Sequence, residues 1–220
     1  MRSTEMLKRK NVPRGPASTV RGRPRSFDRK EALRRAMELF WALGYEGATL
    51  TDLQRAMGGI TAPSLYAAFG SKEDLFREAV ELYSRTLGAP MMNALAKGPT
   101  ARTSMEALLE AAVESFCKPG APRGCLLVLG AINSMPANKS VQDYLRSLRA
   151  RRQRVIQQRL ARAVAEGELR PEMDLRALAS FYTTVVDGLA IQARDGASKK
   201  ALRYAVRCAM AAWDKMAAAP

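Results

Sequence analysis

The sequence contains no histidine and only three cysteines, Cys117, Cys125 and Cys208. Without imidazole, Ser-His-Asp and Cys-His catalysis are excluded, together with the common zinc sites that need histidine ligands. Three irregularly spaced cysteines are too few for a disulfide framework, which fits a reducing compartment. Long apolar runs are also missing. The longest, from Cys125 to Ile132, falls far short of the ~20 residues that cross a bilayer. The N-terminus is basic but lacks the apolar stretch of a secretory signal. β-branched residues rarely stand together, so nothing argues for a sheet. These absences point to a soluble, cytoplasmic, non-enzymatic protein with no membrane partner, and no metal or cofactor is expected.

What the chain does have is helix formers and positive charge. Of its 220 residues, 47% are hydrophobic, enough for a sizeable core, and Ala, Leu, Arg, Glu and Met dominate. The expected fold class is all-α. The formal charge of +15 attracts polyanions. It is concentrated at the start, where residues 1–25 carry eight basic side chains against Glu5 alone. Pro13, Pro16 and Pro24 argue against a helix there. This segment is expected to be a disordered basic arm. Its Arg23 and Arg25, just before the first helix, are the leading candidates for contact with a DNA minor groove.

Order should begin at Ser26 or Asp28, either of which can cap a helix. Leu33, Ala36, Met37, Phe40 and Leu43 then recur at helical spacing until Gly44. Thr49, with Asp52 three residues on, opens a second helix that stops at Gly58-Gly59. A third runs from Thr61 to about Phe69, with Pro63 in its first turn. Ser71 and Asp74 start a fourth, whose apolar stripe reaches Gly88-Ala89-Pro90 or a little beyond. After Gly98-Pro99, helices are expected near 101–117, 124–134, 140–166, 174–194 and 198–217. Domain boundaries follow: an arm over 1–25, a three-helix head over 26–72 and a helical bundle over 73–220.

Two short helices joined steeply at a glycine turn form a helix-turn-helix, whose second helix enters the major groove. Leu65 and Phe69 would face the core, leaving Thr61, Ala62, Pro63, Ser64 and Ala67 toward the groove and Tyr66 toward the flanking backbone. Small residues permit close approach to base edges. Lys72 and the amides opening the fourth helix suit a phosphate.

Here the sequence resembles the tetracycline-repressor (TetR) family. The match is carried by Ala36-Met37-Glu38-Leu39-Phe40, by Gly44-Tyr45-Glu46-Gly47-Ala48-Thr49-Leu50, by Leu65-Tyr66 and by Phe69-Gly70-Ser71-Lys72-Glu73-Asp74-Leu75-Phe76. The resemblance implies a helix-turn-helix that binds palindromic operators, and a variable C-terminal domain that dimerises and holds an inducer. It further implies phosphate contacts from Thr49, Thr51, Tyr66 and Lys72, with Thr61 to Ser64 reading bases. Two features depart from the family: the paired Gly58-Gly59 in the turn, and Ala67 and Ala68 where aromatic or histidine residues are frequent. Gly124-Cys125-Leu126 is similar to one subgroup of the family.

The stretch 174–194 carries two apolar faces. Leu175, Leu178, Tyr182, Val185 and Leu189 form one, and Phe181, Thr184, Gly188 and Ile191 the other. One face serves the domain core, so the second predicts a homodimer, helped by Ala205, Ala209 and Ala212 on the last helix. An unknown small-molecule effector would be lined by Met105, Leu109, Phe116, Cys125, Leu127 and Tyr182. Cys117 and Cys125 flank a Pro/Gly loop in a way that would suit a redox or soft-metal sensor, but free cysteines are commonly inert core residues, the favoured reading. The run Arg149, Arg151, Arg152 and Arg154 reads as a solvated helix face. The expected function is therefore a ligand-responsive DNA-binding regulator, a repressor released by its inducer. The alternative is a nonspecific architectural protein of nucleic acid, for which charge alone would suffice.

Overall fold

The computed structural model describes residues 28–132 and 135–218. Arg23 and Arg25, with the rest of the expected arm, lie outside the described residues. Among those described, every regular element is a helix, and no helix is long and apolar enough to cross a membrane.

Four helices build the N-terminal part: α1 (Arg29–Gly47), α2 (Leu50–Ala56), α3 (Ala62–Phe69) and α4 (Lys72–Thr86). Each starts where a short polar side chain can satisfy the first free amides. The Asp28 carboxylate accepts from the amides of Lys30 and Glu31. Thr49 Oγ1 accepts from Asp52 N, and Thr61 Oγ1 from Ser64 N. Ser71 and Asp74 form a reciprocal capping box. Phe40, Phe76 and Tyr45 interlock below α2 and α3, with edge-on ring pairs at 5.0 Å (Phe40–Phe76) and 5.2 Å (Tyr45–Phe76).

Gly44 does not simply end α1. Its backbone (φ 73°, ψ 175°) breaks the helical course, and one further turn runs on to Gly47. That conformation is essentially restricted to glycine.

The C-terminal part comprises α5 (Ala89–Lys97), α6 (Ala101–Phe116), the single turn α7 (Leu126–Leu129), α8 (Lys139–Ala165), α9 (Leu175–Arg194) and α10 (Lys199–Ala218). Two expectations need correction. The stop at Gly88-Ala89-Pro90 opens a separate helix, α5, because Pro90 sits in its first turn, where no amide is needed. The helix expected over 124–134 shrinks to one turn because Gly130 O is taken by Tyr45 N of α1 at 2.7 Å. The core is continuous from α1 through α4 to α6, α8, α9 and α10.

Candidate DNA-reading face and effector cavity

Helix α3 buries Leu65 and Phe69 and turns the opposite side outward. Thr61, Pro63, Ser64, Tyr66 and Ala67 are exposed there, with Ala62 half-buried. The turn before it needs Gly58 and Gly59 at φ 93° and 79°, values that L side chains rarely adopt. Gln54 Nε2 donates to Ile60 O (3.2 Å), holding the turn closed. Thr61 Oγ1 donates to Ser64 Oγ at 2.9 Å, so Ser64 keeps its own hydroxyl hydrogen for a base or phosphate.

The flanking residues differ in availability. Thr49 Oγ1 donates to Asp52 Oδ2 at 2.5 Å, which commits its hydrogen to the α2 cap. Thr51 is exposed on the same face. Tyr66 is 47% exposed. In the capping box, Ser71 N donates to Asp74 Oδ2 and Asp74 N to Ser71 Oγ, leaving the amides of Lys72 and Glu73 for an anion. Lys72 is half-buried, its Nζ 4.5 Å from the centre of the Tyr45 ring. Burial lowers its pKa and the nearby Glu46 carboxylate opposes that. The sequence reading missed Arg55, a well exposed cation on α2 whose partner, Asp52, is 3.5 Å away. Its position in the last turn of α2 was legible, but not which way the side chain faces.

A second site lies inside the helical bundle, lined by residues between Tyr83 and Val155. A cavity of about 360 Å³ opens between α4, α5, α6, α7 and α8, lined by Tyr83, Leu87, Met91, Met92, Phe116, Cys125, Leu127, Leu148, Arg151, Arg152 and Val155 among others. That volume is within the usual ~300–1,000 Å³ of small-molecule sites. Three of the expected lining residues, Phe116, Cys125 and Leu127, are brought together here. Met105, Leu109 and Tyr182 are not. Met105 and Leu109 are fully enclosed in the core on α6. Tyr182 is buried between Phe181 and Trp213 and donates its hydroxyl to Ala209 O at 3.2 Å. Burial pushes the Tyr83 hydroxyl well above its ordinary pKa, where it faces Cys125.

The arginine run is corrected in part: Arg151 and Arg154 are exposed as a solvated face requires, but Arg149 and Arg152 are not. Arg152 is 5% exposed, and its Nη2 is bonded to Asp187 of α9. Arg149 is half-buried, donating Nη1 to Leu127 O at 2.6 Å, and burial lowers its pKa. A signal was present: Arg152 stands four residues after Leu148 and four before Ile156, on the apolar stripe of α8.

The cavity wall and the reading head share a connection. The α7 segment that supplies Cys125 and Leu127 ends at Gly130, whose carbonyl receives Tyr45 N. Trp41 Nε1 donates to Gly124 O (3.2 Å), and Arg194 Nη2 to Ala42 O (2.6 Å). Glu46 accepts from Met135 N (2.9 Å) and Asn138 Nδ2 (2.7 Å), bonds that hold its carboxyl below the usual range.

On the far side, α9 and α10 leave an apolar face uncovered. Phe181, Ile191 and Tyr204 are 41%, 42% and 63% exposed. Phe181, Val185, Gly188, Tyr204, Ala205 and Ala209 line a groove between the helices. Thr184 is exposed beside it and Ala212 half-buried. Val185 belongs to this groove rather than to the inner face, where Val186 takes its place. Ala209 is 6% exposed and serves the monomer core as well.

The family model for bacterial regulatory proteins of the tetR family matches residues 27–79, and that for the tetracyclin repressor-like C-terminal domain matches residues 99–209. The chain belongs to the TetR family. It is a helix-turn-helix transcriptional regulator. Among its relatives, the HTH-type transcriptional repressor ComR of Escherichia coli is 34% identical over 197 residues, 89% of this chain and 93% of ComR. The HTH-type transcriptional repressor BdcR of the same organism is 31% identical over 198 residues, 89% and 91% of the two chains. A solved structure of the TetR family regulator CifR, a cysteine mutant in complex with a 26-base-pair double-strand operator DNA, superimposes with a TM-score of 0.83 at 44% identity, covering 87% of this chain and all of that one.

Proposed function

We propose that this regulator is a repressor that binds a palindromic operator as a two-fold dimer and releases it when a small molecule fills the α4–α8 cavity. The observation that carries the reading is the outward face of α3, where small residues flanked by Tyr66 and Lys72 are free of core duties. Thr61, Ala62, Pro63 and Ser64 read bases through close approach. Thr49, Thr51, Tyr66 and Lys72 fix the head on the phosphates. The division into a head over residues 26–72 and an effector and dimer region over 73–220 follows from the same assignment. CifR bound to operator DNA and the repressors ComR and BdcR support it by kinship.

The dimer is assigned to the α9–α10 face through Phe181, Thr184, Gly188, Ile191, Ala205, Ala209 and Ala212, because palindrome readers are two-fold symmetric. Release follows from linkage: a ligand pressing on Cys125 and Leu127 favours a position of α7 that Gly130 passes to Tyr45, at the root of the reading head. DNA affinity then falls by the difference in ligand affinity between the two positions.

The charge of +15 alone would also serve a nonspecific architectural protein. Selection of bound fragments from a random DNA pool separates the two. Recovery of one inverted repeat, resistant to competition by random duplex, is expected. Recovery of unrelated fragments would overturn the operator reading.

A further inference from the structure

The wall of the cavity carries more positive charge than the fold uses. Arg152 lines it, with 4% of its side-chain surface exposed. Its Nη2 is taken by Asp187, yet Nε and Nη1 have no hydrogen-bond partner among the described residues. A guanidinium does not relieve burial by losing its proton. Its open donors therefore call for an acceptor in the cavity. Arg151 lines the same space, and Arg149 stands one turn away against Leu127 O. The Asp187 carboxylate acts on both Arg149 and Arg152, and no acidic side chain lines the cavity. Two guanidiniums, Arg149 and Arg152, thus share one carboxylate, and the exposed Arg151 adds a further cation to the lining. The remaining wall is mostly hydrocarbon and aromatic, from Leu87, Met91, Phe116, Leu127 and Val155, with Tyr83, Ser84 and Ser115 as its hydroxyl members.

We propose that the ligand of this cavity is a small organic carboxylate, its anionic head accepting from the open N–H groups of Arg152 and its apolar body resting on Phe116 and the α5 methionine side. This rests on the effector role assigned to the cavity above and names its chemistry. A neutral acceptor would satisfy the same hydrogen bonds but leave the charge surplus of α8 uncompensated in low dielectric, where an opposite charge counts most. A carboxylate with a hydrocarbon tail matches both halves.

The test is calorimetric titration of the full chain with octanoate and 3-phenylpropionate, each paired with its neutral amide. Carboxylates should bind at least about tenfold more tightly than their amides, the usual gain of a charge-assisted contact. The preference should collapse in Arg152→Gln, whereas Leu87→Ala should weaken acid and amide alike. Should Arg152→Gln fail to fold, the wild-type ratio of acid to amide decides by itself. Amides binding as tightly as the acids, or no binding of either acid at millimolar concentration, would overturn the proposal. Release of a selected operator is read on the same samples. Carboxylate binding with DNA still held would keep the anion assignment and remove the inducible-release reading, so the two fail separately.

Discussion

Lys72 shows how one side chain can serve two masters. Its stem packs on the Tyr45 ring, with Nζ 4.5 Å from the ring centre, while its position at the start of α4 presents it to a phosphate. The ring contact costs little to lose, ~0.5–1 kcal/mol. In the proposed interface a phosphate contact would release a counterion, and its loss would be read in salt dependence. Lys72→Ala should therefore weaken binding to operator and random DNA alike and flatten the logarithmic salt slope by about one unit. Anisotropy titrations at several salt concentrations check this, and an unchanged slope would remove Lys72 from the interface. Ser64→Ala should instead change the preferred base with little effect on slope, because its hydroxyl is the uncommitted one of the Thr61–Ser64 pair. The helix starts around them were legible in the sequence, since cap residues advertise themselves by type and spacing. The burial of Arg152 was not. Four arginines in a six-residue stretch look alike until Asp187, 35 positions away, is packed against one of them.

At the scale of elements, α1 to α4 were legible because each boundary carries local chemistry: an Asp, Thr or Ser cap in front, and glycine behind α2 and α3. The failures fall where tertiary contacts set the boundary. Helix α7 stops early because its end is pinned to α1, and nothing in Cys125–Ile132 discloses that partner. Gly44 reads as a helix stop but acts as the joint that lets Tyr45 reach Gly130. A Cβ there would lie 3.4 Å from Gly130 O, on a backbone at φ +73°. Gly44→Ala should cost about 1–3 kcal/mol in urea unfolding, through backbone strain at that joint. It should also loosen the coupling between ligand and DNA. An unfolding midpoint equal to wild type would place the strain elsewhere.

For the whole molecule, the α9–α10 face leaves Phe181, Ile191 and Tyr204 uncovered. Gly188 is a clean probe of it, because a Cβ at that position meets nothing within 4 Å inside the monomer. Gly188→Glu should keep the monomer's helicity and thermal transition. In the proposed dimer it buries an unpaired carboxylate twice over, which costs several kcal/mol, so light scattering should report monomer at micromolar concentration. A variant that stays dimeric would move the interface. A further consequence lies in what α3 does not carry. From Ala62 to Phe69 the helix has no ionisable side chain except the Tyr66 phenol, so the atoms that distinguish one base pair from another displace no condensed ions. In the proposed interface, attraction to the duplex and choice of sequence then fall to separate parts of the molecule: cations on the flanks, neutral methyls and hydroxyls at the centre. Raising ionic strength should then lower occupancy everywhere while the ratio of operator to bulk affinity holds nearly constant, and a cell under osmotic stress would lose grip on its target without losing the ability to recognise it.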